Sequence, residues 1–81
     1  MGLQGDVLNL LSEQLGVNLE KITLDSHIQD DLGADSLDAN EMVMDIEEKY
    51  KIEIPDEEAQ KFERVKNIIH YLDGHIDDKY K

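Results

Sequence analysis

Ser36 stands between two carboxylates in the run Asp30-Asp31-Leu32-Gly33-Ala34-Asp35-Ser36-Leu37-Asp38, where a glycine-containing turn gives way to good helix formers. A hydroxyl in that place has two uses. It can cap the helix by accepting a hydrogen bond from a free backbone N–H. It can also carry a phosphodiester, because the unpaired N–H groups and the positive end of the macrodipole favour an anion there. Residue types alone do not choose between the two. No base is placed in the sequence to activate Ser36 as the nucleophile of a hydrolase. The chain has no cysteine, and it carries neither a phosphate loop nor a dinucleotide fingerprint.

The other chemical groups are acids and three histidines. A calcium loop of EF-hand type needs a glycine at its sixth position. Counting from Asp25 puts Asp30 there, and counting from Asp31 puts Ser36 there. No specific metal site is expected. Weak divalent binding by Asp30, Asp31, Asp35 and Asp38, or by Glu47, Glu48 and Glu53, remains open. His27, His70 and His75 lack helical ligand spacing and read as surface or packing residues.

Hydrophobic periodicity supplies the elements that must hold Ser36 in place. Leu3, Val7, Leu10 and Leu11 repeat at helical spacing up to a stop at Gly16, which predicts a first helix over about 3–15. From Val17 to Asp35 the period dissolves into turn formers interleaved with Leu19, Ile22, Leu24, Ile28 and Leu32. A connection that long is uncommon in a small domain and often functional. The second helix is expected from about Ser36 to Tyr50. Pro55 then interrupts, Asp56 is placed to cap a short helix through Gln60, and Val65, Ile68, Ile69 and Leu72 mark the last helix. The expected fold is all-α: a single domain over 1–81, with three main helices, one short helix and a long loop between the first and second.

Twenty Asp and Glu oppose eight Lys and Arg, a formal net charge of −12. Nucleic acid is excluded as a partner, because binding it requires cations that displace counterions from phosphates. Basic protein surfaces would be attracted. Eighty-one residues leave little room for a deep catalytic pocket. No stretch is long and apolar enough to span a membrane, and the start, Met1-Gly2-Leu3-Gln4-Gly5-Asp6, has neither a basic nor an apolar leader region. The expectation is a cytoplasmic protein without membrane insertion, monomeric and not an enzyme.

Winding residues 36–50 at about 100° per residue gathers Ala39, Met42, Val43, Ile46 and Tyr50 on a core face. Leu37, Asn40, Glu41, Met44 and Glu48 fall opposite. Exposed apolar residues are ordinary when single. Apolar anchors rimmed by acids also suit the docking of a basic partner.

Asp35-Ser36-Leu37, within Asp31-Leu32-Gly33-Ala34-Asp35-Ser36-Leu37-Asp38, resembles the attachment motif of acyl carrier proteins of the discrete, fatty-acid-synthase type. The resemblance continues through Glu41, Val43-Met44, Glu47-Glu48 and Tyr50 to Ile52-Glu53-Ile54-Pro55-Asp56-Glu57-Glu58-Ala59. It implies that Ser36 receives 4′-phosphopantetheine from coenzyme A through a separate phosphopantetheinyl transferase. It implies further that Asp35 and Asp38 engage that transferase, and that acyl chains fold into a cleft between helices. Leu37, Glu41, Met44, Glu47 and Glu48 are the implied contacts to fatty acid synthesis enzymes with basic docking surfaces, and Asn40 lies on the same face. Asn40, Asp45, Phe62 and Glu63-Arg64 depart from residues common in the family, with consequences for partner preference and cleft shape. Two other readings stand beside this one: a carrier for polyketide or another acyl pathway, and a structural or regulatory subunit in which Ser36 only caps a helix.

Overall fold

The computed structural model describes residues 2–80, so Met1, at the head of the start considered above, lies outside the described residues. Four α-helices follow in order: α1 (Leu3–Leu15), α2 (Ser36–Tyr50), α3 (Asp56–Ala59) and α4 (Val65–Asp73). Two short 3₁₀ turns, Leu19–Lys21 and Asp78–Tyr80, were not expected from the sequence. There is no strand among the described residues, only one isolated antiparallel bridge between His27 and Arg64.

Each long helix buries one stripe. Leu3, Val7 and Leu11 of α1, Met42, Ile46 and Tyr50 of α2, and Val65, Ile68 and Leu72 of α4 form a common core, with α1 packed against both α2 and α4. The four-residue spacing within α1 and α2 brings these side chains onto one face of their helix. Gly16 ends α1 at φ 66°, and its N–H returns to the Ser12 carbonyl. A side chain there would be strained in the left-handed region, which is why glycine closes so many helices.

The segment from Val17 to Asp35 is a loop, as its broken periodicity implies, but its anchors differ from the expected set. Ile22, Ile28 and Leu32 are buried, whereas Leu19 and Leu24 are exposed. The replacement anchors are polar. Ser26 is buried; its hydroxyl accepts the Thr23 N–H at 2.9 Å, and its carbonyl accepts the Val65 N–H at 3.1 Å. The Leu24 carbonyl accepts the Lys66 N–H at 2.9 Å. The loop therefore satisfies the first amide donors of α4, which no helical carbonyl can reach. The Ile28 N–H donates to the Glu63 carbonyl at 2.8 Å, which ties the same loop to the segment between α3 and α4.

At the other end of α2, Lys51 takes the left-handed conformation at φ 58°. The Ile54 N–H then donates to the Glu47 carboxylate at 2.7 Å, holding buried Ile54 against the bundle. The short α3 differs from expectation in its cap. Pro55 precedes the helix and Asp56 is its first residue, so Asp56 does not cap. Its carboxylate still lies at the positive end of the turn.

Candidate functional site

Residues 27–34 form a closed turn that delivers the chain to α2. The His27 carbonyl accepts the N–H groups of Asp31 and Leu32 at 2.8 and 3.1 Å, and the Ala34 N–H donates to the Ile28 carbonyl at 3.1 Å. Gly33, at φ 75°, makes the reversal possible. Ile28, Leu32 and Ala34 are buried beneath it, which fixes the direction in which Asp35 and Ser36 emerge.

The helix cap is Asp35, not Ser36. Asp35 Oδ1 accepts the Asp38 N–H at 2.8 Å, and the Asp38 carboxylate accepts the Asp35 N–H at 3.4 Å, a reciprocal capping box. Ser36 is the first residue inside the helix, and it is exposed. The reason is chemical competition: Asp35 offers a carboxylate one residue earlier, at the position whose side chain reaches the free amide two or three residues on. Ser36 Oγ makes no hydrogen bond among the described residues.

That leaves two unused donors. The N–H groups of Ser36 and Leu37 have no protein acceptor among the described residues. A phosphodiester on Ser36 fits beside them, at the positive end of a fifteen-residue helix. Asp35 and Asp38 repel such a group, but Asp35 is exposed and Asp38 half-buried, so solvent and salt screen the repulsion.

Beside Ser36 a groove of about 870 Å³ runs between α2 and the segment from Ile54 through α3 to Glu63. Met42, Val43, Ile54, Ala59 and Phe62 give it an apolar floor, while Asn40, Gln29 and Glu63 stand among its polar walls. Val43, placed on the core face by its helical register, is half-buried: it packs against the core and also lines this groove. Ala39 is likewise half-buried and lines it.

The face of α2 opposite the core is laid out as its register implies. Leu37 and Met44 are each 64% exposed, with Asn40, Glu41 and Glu48 exposed around them. Glu41 is steadied by Gln14, whose amide donates to its carboxylate at 3.0 Å. Glu47 stands apart from this group. It is half-buried and its carboxylate is committed to the Ile54 N–H, although Asn40 and Met44 line the groove as it does.

Among the described residues no three acidic or histidine side chains come together as a metal site, so the acids considered above are not gathered into one. No helix of the described residues is long and apolar enough to cross a membrane. His27 and Phe62 line the groove; the sequence marked Phe62 as a departure bearing on cleft shape and did not mark His27 as a site residue. Phe62 had a signal, an aromatic ring in the otherwise polar run Gln60-Lys61-Phe62-Glu63-Arg64. His27 had none, because its neighbours in the groove come from distant parts of the chain.

Residues 5–72 match the protein family described as "Phosphopantetheine attachment site". The chain is also 47% identical over 73 residues to an acyl carrier protein of Wolinella succinogenes, covering 90% of this chain and 96% of that one. It is 42% identical over 72 residues to an acyl carrier protein of Clostridium acetobutylicum, covering 89% and 94%. The chain belongs to the acyl carrier protein family. Its prosthetic group is a covalently attached 4′-phosphopantetheine. An acyl carrier protein needs no thiol of its own, since that group ends in one and holds acyl chains as thioesters. This accounts for a carrier without cysteine.

Proposed function

We propose that this acyl carrier protein holds the intermediates of fatty acid biosynthesis on an arm attached at Ser36. One observation carries the reading: an exposed, unbonded hydroxyl at the head of α2 opens beside an apolar-floored groove. In the attachment step Ser36 Oγ attacks the phosphorus of coenzyme A that bears pantetheine. The P–O bond to the adenosine bisphosphate half breaks, and the hydroxyl loses its proton. No side chain of the described residues accepts a hydrogen bond from that hydroxyl, so the base belongs to the transferase. Asp35 and Asp38 flank the reacting oxygen and are the residues the transferase meets first.

Leu37 and Met44 are the apolar anchors of the docking face, with Asn40, Glu41 and Glu48 at its rim. The net charge of −12 draws enzymes with basic surfaces toward it and raises their encounter rate. Glu47 contributes to that field while its geometry serves the segment after α2. The chain works as one carrier domain and not as a catalyst. The reading in which Ser36 serves only as a cap loses its physical support, because Asp35 already fills that place.

The test is direct. Incubated with coenzyme A, Mg²⁺ and a phosphopantetheinyl transferase, the protein should gain one arm, located on Ser36 by peptide mass spectrometry, and Ser36→Ala should gain none. The loaded carrier should then be elongated by fatty acid synthesis enzymes faster than by polyketide enzymes. The reverse order would transfer it to a polyketide pathway, and an unmodified wild-type protein would end the carrier reading.

A further inference from the structure

The groove beside Ser36 does not run on without limit. On the far side of Phe62 lies a second hollow of about 460 Å³, bounded by the end of α3 and the exposed side of α4. Among the described residues, Phe62 alone lines both spaces. Its ring stands between the two hollows. On the Ser36 side stand Met42, Val43, Ile54 and Ala59. Beyond Phe62 the lining is Glu58, Lys61, Lys66, Asn67, His70 and Tyr71.

The ring is held in that position. The Phe62 backbone N–H donates to the Ala59 carbonyl at 3.1 Å, which continues the turn of α3. The Phe62 ring meets Tyr71 edge-on at 5.6 Å and 68°, and Tyr71 in turn stacks on His75 at 4.0 Å and 6°. Edge-on and offset aromatic contacts of this kind resist displacement beyond what buried area alone provides. The Tyr71 and His75 rings, on or just beyond α4, brace that of Phe62 from behind.

We propose that Phe62 is the end wall of the cargo groove and sets the longest acyl chain this carrier can keep out of water. The proposal rests on the reading that Ser36 bears the arm. A chain entering from Ser36 is covered by the apolar floor up to Phe62. Further methylenes must either turn back to solvent or displace the braced ring. Each methylene that stays covered contributes about fourfold to the burial equilibrium, and that gain ends at the wall.

The experiment uses the intact carrier loaded through its arm with straight-chain acyl groups from butyryl to palmitoyl, loading being verified by mass. Thermal melts are read against chain length for wild type, Phe62→Leu, Phe62→Ala and Phe62→Trp. Wild type should gain stability with each added pair of carbons and then reach a plateau. The plateau should move to longer chains in Phe62→Ala, less so in Phe62→Leu, and to shorter chains in Phe62→Trp. Amide NMR shifts of Lys66, Asn67 and His70 should respond to the longest cargo in the small variants and not in wild type. Phe62→Leu keeps the test decisive if Phe62→Ala does not fold. A plateau at the same chain length in all loaded proteins, or no plateau in wild type, overturns the role of Phe62. Failure of any arm to load on Ser36 overturns the carrier reading itself, so the two failures are told apart at the mass-spectrometry step.

Discussion

If Asp35 caps α2 and Ser36 does not, neighbouring residues should separate stability from modification. Asp35→Ala removes the acceptor of the Asp38 N–H at 2.8 Å and breaks the reciprocal contact at 3.4 Å. Loss of such a cap costs about 0.5–2 kcal/mol. Loss of a carboxylate at the positive helix end adds about 0.3–1 kcal/mol. Relief of one charge in a chain of −12 works the other way, so a net loss of about 1–2 kcal/mol is expected. In a domain this small, that lowers the melting temperature by about 5–15 °C. Asp35→Asn keeps an oxygen acceptor and should lose only the charge part, about 0.3–1 kcal/mol. Ser36→Ala removes an exposed hydroxyl with no partner among the described residues and should stay within about 0.5 kcal/mol of wild type, yet accept no arm. Urea and thermal melts followed by circular dichroism give the three values, and intact mass gives the modification. A Ser36→Ala variant as unstable as Asp35→Ala would refute the assignment of the cap.

Glu47→Ala should cost about 1–3 kcal/mol in a urea melt, because it leaves the Ile54 N–H without its 2.7 Å acceptor, whereas Glu48→Ala should be nearly neutral. On the outer face, Leu37→Ala and Met44→Ala should weaken enzyme docking with little loss of stability, while Ile46→Ala should cost about 2–5 kcal/mol; equal losses would mean the two faces of α2 are misassigned. Tyr50 is buried with a hydroxyl that has no partner among the described residues, and burial, with the negative charge of Asp6 second, raises its pKa above 10.0. Both states hold the proton below 10.0; above it the unfolded chain releases it first, so stability falls as pH rises from there toward the folded value. Tyr50→Phe should reduce that alkaline loss and should not destabilise at neutral pH, since it removes an unsatisfied group; a clear loss at pH 7 would show that the hydroxyl is bonded. Thermal stability should also rise with NaCl, because screening relieves the self-repulsion of a −12 chain, and an unchanged melt would count against that.

Much of this carrier is legible along the chain. The stripes Leu3-Val7-Leu11, Met42-Ile46-Tyr50 and Val65-Ile68-Leu72 locate three helices, because an amphipathic helix must repeat its apolar residues at its own period. The motif around Ser36 is contiguous, so it can be recognised without a fold, and the exposed face of α2 follows from register alone. What helical register does not carry is depth. It put Val43 on the core face, where it does pack, but only the position of α3 shows that this side chain is half-buried and also lines a groove. It treated Leu19 and Leu24 like Ile28, although their burial depends on whether another element lies across them. The choice between Asp35 and Ser36 as cap turns on φ, ψ and a hydrogen bond, which two adjacent cap-forming residue types leave undecided. The Ser26 and Leu24 carbonyls that serve the first amides of α4, the Glu47 bond to Ile54 and the wall at Phe62 all join residues far apart in sequence or across a turn. The tertiary structure decided these, because each depends on the packing of a second segment and leaves no period in the chain.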